Sequence, residues 1–349
     1  MGASTATTDP PAGGLGPTGA DGLPCLDSVP PGSSSPSSSG PLLLAVDIGG
    51  TKMEAGLVTS DGRIVDRSRI PTPTVPDPES VFEALASAVT GLLERAPDRP
   101  VACGVGCGGP MASGGATVSP LNIPAWRGFP LRDRLADLVA LPVTVDNDAK
   151  ALALGEGWRG AARGCPDFLA MVVSTGVGGG IVLDGRLLDG SGGNAGHIGH
   201  VVVEPDGRRC ACGGLGCLEA EASGTAIALA TGRPAAEASV DVRRRCGTLV
   251  GRAVATVANL LDLQLAVVAG SVALGFGDDF FDSARRELAL RSRIAFARST
   301  RIEAAGLGGD GPLVGAAAVA LHGSGVSGTA GASGTAGVTG TVAAPGGVW

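Results

Sequence analysis

One histidine and three cysteines near the middle of the chain have the types and spacing of a metal site. Nine residues separate His200 from Cys210, one separates Cys210 from Cys212, and four separate Cys212 from Cys217. One imidazole and three thiolates close a tetrahedral zinc shell and leave no position for a catalytic water, so the expected role is structural. The competing reading is a set of buried free thiols. Gly213, Gly214 and Gly216 let the loop 200–217 wrap an ion, and the ordered loop would carry polar groups such as Glu219. Cys25, Cys103, Cys107, Cys165 and Cys246 read as unrelated thiols.

Three glycine turns at strand ends have a composition suited to phosphate. Asp47-Ile48-Gly49-Gly50-Thr51-Lys52 lies between two expected hairpin strands. Its glycines let backbone amides approach phosphate oxygens, and Thr51 adds a hydroxyl. Asp47, at the strand end, is placed to hold Mg²⁺ through water, because that ion keeps several of its waters. An ordinary tight hairpin is the alternative. Ser174-Thr175-Gly176-Val177-Gly178-Gly179-Gly180 is a second such turn. It is neither a dinucleotide fingerprint, since no helix follows its glycines, nor a P-loop, since it has no Gly-Lys-Ser/Thr. Val268-Ala269-Gly270-Ser271 ends a buried strand and suits packing against an adenosine.

Phosphoryl transfer to an alcohol needs a carboxylate to take the hydroxyl proton and a metal ion to offset developing charge. Val145-Asp146-Asn147-Asp148-Ala149-Lys150 follows a strand and enters a helix expected over Ala149–Trp158. Asp148 at the helix entry can face a cleft, and Asn147 can hydrogen-bond sugar hydroxyls. The alternative is an Asp N-cap. Spacing leaves Asp146 and Asp148 equally eligible for either role.

The elements around these turns alternate. LLLAVDI (42–48), the segment 53–60 and a strand around 64–70 precede a helix capped by Asp77-Pro78 and running to about Leu93. Strands at 101–105 and 143–145 flank a helix over 131–139. The second half repeats the scheme with strands at 169–174 and 263–270 and helices near 253–263, 279–290 and 312–321. Alternating strands and helices indicate an α/β layered fold, and two halves that each open on strand, glycine turn, strand suggest an internal duplication.

Composition narrows the class. The chain has 349 residues, with 44% hydrophobic and 17% charged residues, enough for two packed lobes. A net charge of -7 argues against a general nucleic-acid binder. Only Lys52 and Lys150 are lysines. There is no signal-peptide pattern and no apolar run long enough to span a membrane, so a reduced cytoplasmic protein whose clustered cysteines bind metal is expected. Residues 1–40 and 323–349, rich in Gly, Ser, Thr and Pro, are expected to be disordered tails.

Taken together, DIGGTK (47–52), VDNDAKALALGEG (145–157), STGVGGG (174–180), GNAGHIGH (193–200) and CACGGLGCLEAEASG (210–224) resemble the ROK family of sugar kinases and repressors. That family is a branch of the hexokinase and actin superfamily, and the resemblance runs from about Leu42 to Leu321. It implies a two-lobed, actin-like ATPase fold of the ribonuclease H-like type. The lobes would be 41–148, rejoined by the helix 311–322, and 149–310. It further implies ATP-dependent phosphorylation of a hexose hydroxyl, O6 of glucose or a related hexose, with Asp148 as catalytic base. Sugar contacts then fall on Asn122, Asn147, His200 and Glu219, with Gly109 and Pro110 lining the pocket. Nucleotide contacts fall on Gly49, Gly50, Thr51, Thr175, Gly176 and Gly270, with Asp47 and Lys52 in the same turn. Zinc would sit on His200, Cys210, Cys212 and Cys217, with His200 touching the sugar through its other nitrogen. A homodimer or homotetramer is implied as well.

Two residues depart from the family pattern. His197 stands where glucokinases of the family carry Glu, as in bacterial N-acetylmannosamine kinases, and it bears on sugar choice because a neutral imidazole can accept only one hydrogen bond. Lys150 stands where Asn is common; it reads as a solvated helix residue, with a phosphate contact or a depressed Asp148 pKa as alternatives. A sugar-responsive repressor would need a basic helix-turn-helix, and residues 1–40 have no Lys or Arg. A sugar-binding pseudokinase is disfavoured by the presence of Asp47 and Asp148.

Overall fold

The computed structural model describes residues 40–324, so the two expected tails lie almost wholly outside the described residues. The first half contributes β1 (Leu42–Ile48), β2 (Lys52–Thr59), β3 (Ile64–Pro71), β4 (Ala102–Cys107) and β5 (Val143–Asn147), in the order β3-β2-β1-β4-β5. The second contributes β6 (Phe168–Val173), β7 (Val177–Leu183), β8 (Arg186–Leu187), β9 (Leu265–Ala269) and β10 (Arg301–Ala304), in the order β10-β9-β6-β7-β8. The two orders superpose strand for strand. In each sheet the first strand pairs antiparallel with the second and parallel with the fourth, and the fourth pairs parallel with the fifth. The repeated glycine turns are thus topologically equivalent, one per sheet.

The helices follow the same repeat. α1 (Pro78–Leu93) starts where expected, with the Asp77 carboxylate accepting from the Ser80 amide at 2.8 Å. α2 (Leu131–Val139) lies between β4 and β5, and α3 (Asp148–Arg159) follows β5. The second half has α4 (Leu218–Ala222), α5 (Gly224–Thr231), α6 (Val240–Leu261), α7 (Ser271–Phe276), α8 (Asp278–Arg291) and α9 (Gly311–Ser324). α6 is 22 residues long and begins well before the expected 253.

The last helix of each half packs on the other half's sheet. α9 buries Leu313, Ala316, Ala317 and Ala320 against Leu43, Ala45, Val58 and Ala102, while α3 buries Ala153 with Phe168, Ala170 and Val182. The two helices cross at Gly155 and Gly315, where a Cβ on Gly155 would lie 2.9 Å from the Gly315 Cα. Beside the crossing, buried Glu156 accepts hydrogen bonds from the amides of Ala161, Gly306 and Leu307 at 2.7, 3.0 and 3.1 Å. A buried carboxylate with three amide donors is fully satisfied, and it locks the end of α3 to the segment leading into α9.

Candidate functional site

Asp47 is the penultimate residue of β1 and Asp148 begins α3, and they meet over Gly106 of β4. A Cβ at Gly106 would lie 3.8 Å from Asp47 Oδ1 and 3.7 Å from the Asp148 Cα. Burial pushes Asp47 up to about 7; the Asp148 charge adds to the rise, and Lys52 and Arg69 oppose it. Part of Asp148 reaches the surface, but the protein packed around its carboxyl strips it of water and raises its pKa above the usual carboxylate range. The Ala149 amide, 2.8 Å from Oδ1, and the His197 ring favour its anion. Two carboxylates this close, both with their affinity for protons tuned upward, suit a cation or a proton acceptor.

The helix entry resolves an ambiguity. The N-cap is Asn147, whose Oδ1 accepts from the Ala149 amide at 3.0 Å, rather than either aspartate. Asp146 instead accepts from the Asn147 amide at 2.7 Å and lies 3.4 Å from Lys150 Nζ. Asp148 is therefore released to the cleft. The Asn147 Nδ2 points toward Gly109, 3.7 Å from where a Cβ there would stand.

The first glycine turn is held at its margins. The Gly49 amide donates to Lys52 O at 3.0 Å, and Thr72 Oγ1 donates to Gly49 O at 2.7 Å. The Gly50 and Thr51 amides have no partner among the described residues. Asn122 packs on Gly50 so closely that a Cβ there would lie 2.3 Å from the Asn122 Cβ. Glu54, fully buried opposite Asp47 in the β1–β2 register, carries Arg69 through bonds of 3.0 and 3.1 Å and Lys52 at 3.4 Å. It thereby fixes two cations beside the turn.

The equivalent turn of the second half, Ser174–Gly176, is held by the start of α5. Gly224 N donates to Ser174 O at 2.7 Å, and Thr225 Oγ1 donates to Thr175 O at 2.9 Å. The Thr175 and Gly176 amides are likewise without partners among the described residues. Ser174 Oγ lies 2.9 Å from Ser271 Oγ, which joins this turn to the Gly270 turn at the end of β9. Glu219, in α4, accepts from the Val177 amide at 2.8 Å through Oε2, so one of its oxygens is committed to the turn.

The remaining glycines of that motif do something the sequence did not suggest. Gly178 and Gly180 point to α3: a Cβ at Gly178 would stand 3.0 Å from Ala149 Cβ, and one at Gly180 would stand 2.9 Å from the Lys150 Cα. Gly179 points the other way, where a Cβ would lie 2.9 Å from Ile198 and 3.0 Å from Gly196 O. Strand β7 thus carries the helix of Asp148 on one face and the segment of His197 on the other, at distances only glycine allows.

His200, Cys210, Cys212 and Cys217 place their ligand atoms within 4.8 Å of one another. Cys210 Sγ is 3.7 Å from His200 Nδ1, and Cys212 Sγ is 3.7 Å from Cys217 Sγ. A tetrahedron with metal–sulfur bonds of about 2.3 Å has edges of about 3.8 Å, so the donor set fits a zinc-sized ion. Nδ1 faces the cluster, which leaves Nε2 of His200 free. The His197 ring lies 6.1 Å from that of His200 at an interplanar angle of 16°, both exposed. Glu221 anchors the loop. It is 3% exposed and accepts from the Arg208 amide at 2.6 Å and from Arg245 Nη2 of α6 at 2.8 Å.

Lys150 is not a solvated helix residue. Its side chain is 3% exposed, and Nζ donates to Asp189 Oδ1 at 2.5 Å and to Gly193 O at 3.1 Å. It meets neither a phosphate turn nor Asp148. Neither Lys150 nor Glu221 carries a sequence signal for these contacts, because their partners are set by tertiary folding.

Residues 43–322 match the model of the ROK family. The chain belongs to the ROK family. It is 39% identical over 250 residues to an N-acetylmannosamine kinase of Escherichia fergusonii, covering 67% of this chain and 84% of that protein. Among solved ROK structures, it resembles a glucokinase from Streptomyces griseus in complex with glucose and AMPPNP, at 35% identity and a TM-score of 0.69, over 80% of this chain and 99% of that one. It also resembles a ROK transcriptional regulator, a homologue of the E. coli MLC protein, at 25% identity and a TM-score of 0.70, over 80% of this chain and 78% of that one. The α/β, actin-like ATPase architecture expected of the sequence is the fold these structures share. Among the described residues, no helix is long and apolar enough to cross a membrane.

Proposed function

We propose that this ROK protein is an ATP-dependent sugar kinase that phosphorylates O6 of a hexose, with Asp148 as the base. The observation that carries the reading is the meeting of Asp47 and Asp148 over Gly106, flanked by two topologically equivalent turns with free amides. Asp148 takes the hydroxyl proton as the sugar oxygen attacks the γ-phosphorus in line and the bond to the ADP oxygen breaks. Enclosure keeps Asp148 basic enough to accept that proton, while the Ala149 amide holds the carboxylate in place.

Gly49, Gly50, Thr51 and Lys52 of one turn and Thr175, Gly176 and Gly270 of the other would bind ATP. Asp47 would hold Mg²⁺ through water, and the ion would offset charge developing on the phosphates. Asn122, Asn147, Gly109, His197, His200 and Glu219 would line the sugar site. Zinc on His200, Cys210, Cys212 and Cys217 would orient the imidazole, leaving Nε2 for a sugar hydroxyl. The lobes 41–148 and 149–310, with 311–322 rejoining the first, would close over both ligands.

A second reading concerns the sugar alone. His197 is exposed beside Asp148 and His200 rather than buried in the core, and the 39%-identical relative is an N-acetylmannosamine kinase. That relative, together with a histidine at 197 where the family's glucokinases carry Glu, favours N-acetylmannosamine over glucose. A coupled assay of ADP release with ATP and glucose, mannose, N-acetylglucosamine and N-acetylmannosamine separates the two. Turnover of at least one sugar is expected, and turnover of none would remove the kinase reading.

A further inference from the structure

We propose that Lys150 and Asp189 form a positioning pair that sets the distance between the base and the sugar-recognition segment, and so tunes sugar affinity. The proposal rests on the assignment of Asp148 and His197 above. Asp148 and Lys150 both lie in the first turn of α3, one aimed at the cleft and the other at the loop 189–196. Lys150 grips this loop at two points, the Asp189 carboxylate at 2.5 Å and the Gly193 carbonyl at 3.1 Å. Asp146, at 3.4 Å, completes the shell of the buried ammonium.

At its far end Gly196 packs on Gly179 of β7, and between Asp189 and Gly196 the loop has few other supports. Its internal bonds are Ala195 N to Asp189 O at 2.9 Å, Gly193 N to Gly190 O at 3.4 Å and Asn194 Nδ2 to Gly192 O at 2.8 Å, and Gly190, Gly193 and Gly196 all have positive φ. It then delivers His197 directly. A glycine-rich loop with so few bonds of its own samples many conformations unless an external group fixes it. The ammonium is that group. It is anchored on the same helical turn as Asp148, so freeing the loop from α3 removes one of the two supports of His197, the other being the packing of Gly196 and Ile198 on β7. Binding groups displaced by an ångström lose much of their effect on a bound substrate.

Asp189→Ala tests this from the loop side. The Asp189 side chain is 63% exposed, so its removal leaves the core intact. The expected result is a rise in the sugar KM on the order of tenfold, with the KM for MgATP within about twofold of the unaltered protein. Asp189→Asn, which keeps an oxygen for Lys150, should restore most of the sugar affinity. Hydrogen exchange of the 189–196 amides should accelerate in Asp189→Ala and in Lys150→Met. A sugar KM unchanged in Asp189→Ala, or one that moves equally with the MgATP KM, overturns the proposal while the kinase reading stands. Unchanged exchange in both variants overturns it too, with or without turnover. Absence of turnover on every sugar by the unaltered protein would defeat the kinase reading instead, a result the exchange data do not depend on.

Discussion

Gly180→Ala is the most informative single change in the framework, because it adds one methyl group at the point where β7 supports α3. The new Cβ would meet Ala153 Cβ and the Lys150 Cα at 2.9 Å and Ala149 O at 3.0 Å. Ordinary carbon contacts begin near 3.5 Å, so α3 must retreat by about 0.5 Å or the strand must bend. Overpacking of this kind costs about 1–3 kcal/mol. The helix that retreats begins with Asp148, so the proposed base moves with it. Since a 1 Å misplacement costs about a hundredfold, half of that displacement should lower kcat on the order of tenfold. The assay is steady-state turnover at saturating ATP, alongside thermal melting. Gly309→Ala, with nothing within 4 Å of its added carbon, is the control and should behave as the unaltered protein. A Gly180→Ala protein with unaltered kcat and melting temperature would refute the idea that close packing of β7 on α3 places the base.

Chelation or Cys212→Ser should lower the melting temperature and raise the sugar KM, because the metal loop carries His200; metal analysis of the purified protein should find about one zinc per chain. Asp47 gives a pH dependence whose sign is fixed. Its folded pKa, about 7, lies above the usual 3.8, so its contribution to stability is full below 3.8 and is lost as pH rises toward 7. A cation needs the ionised form, so near pH 5.5 Mg²⁺-dependent nucleotide affinity should be about thirtyfold weaker than near pH 8. Asp47→Asn should remove that excess pH dependence in a calorimetric titration; an unchanged profile would exclude Asp47 as the cation's anchor.

Much of this was legible in the chain because local rules and tertiary structure agree. Asp77 capping α1, the DIGGTK turn and the strand before Asp148 all follow from short-range patterns. The spacing of His200, Cys210, Cys212 and Cys217 pointed to four side chains that could share an ion, and in the structure their donor atoms do converge. What escaped was set by packing between distant segments. The first half of α6 was missed because Gly247 and Gly251 weaken its helical signal; they are glycine because Cβ atoms there would stand 2.1 and 2.3 Å from Phe280 O and Ala284 O of α8. Gly178–Gly180 read as turn glycines although they serve helix packing. Lys150 read as solvated because no local pattern reveals Asp189 and Gly193 above it. The cap at α3 fell to Asn147 because both neighbouring aspartates have other uses, Asp146 toward Lys150 and Asp148 toward the cleft.

The central claim is that Asp148 accepts the sugar proton. Asp148→Asn keeps the size of the side chain and an oxygen for the Ala149 amide but removes the basic carboxylate, so turnover should fall at least a hundredfold on the scale of general-base loss. Sugar affinity, measured by calorimetric titration of the same variant, should stay within a few-fold of the unaltered protein. Turnover close to that of the unaltered protein would contradict the account.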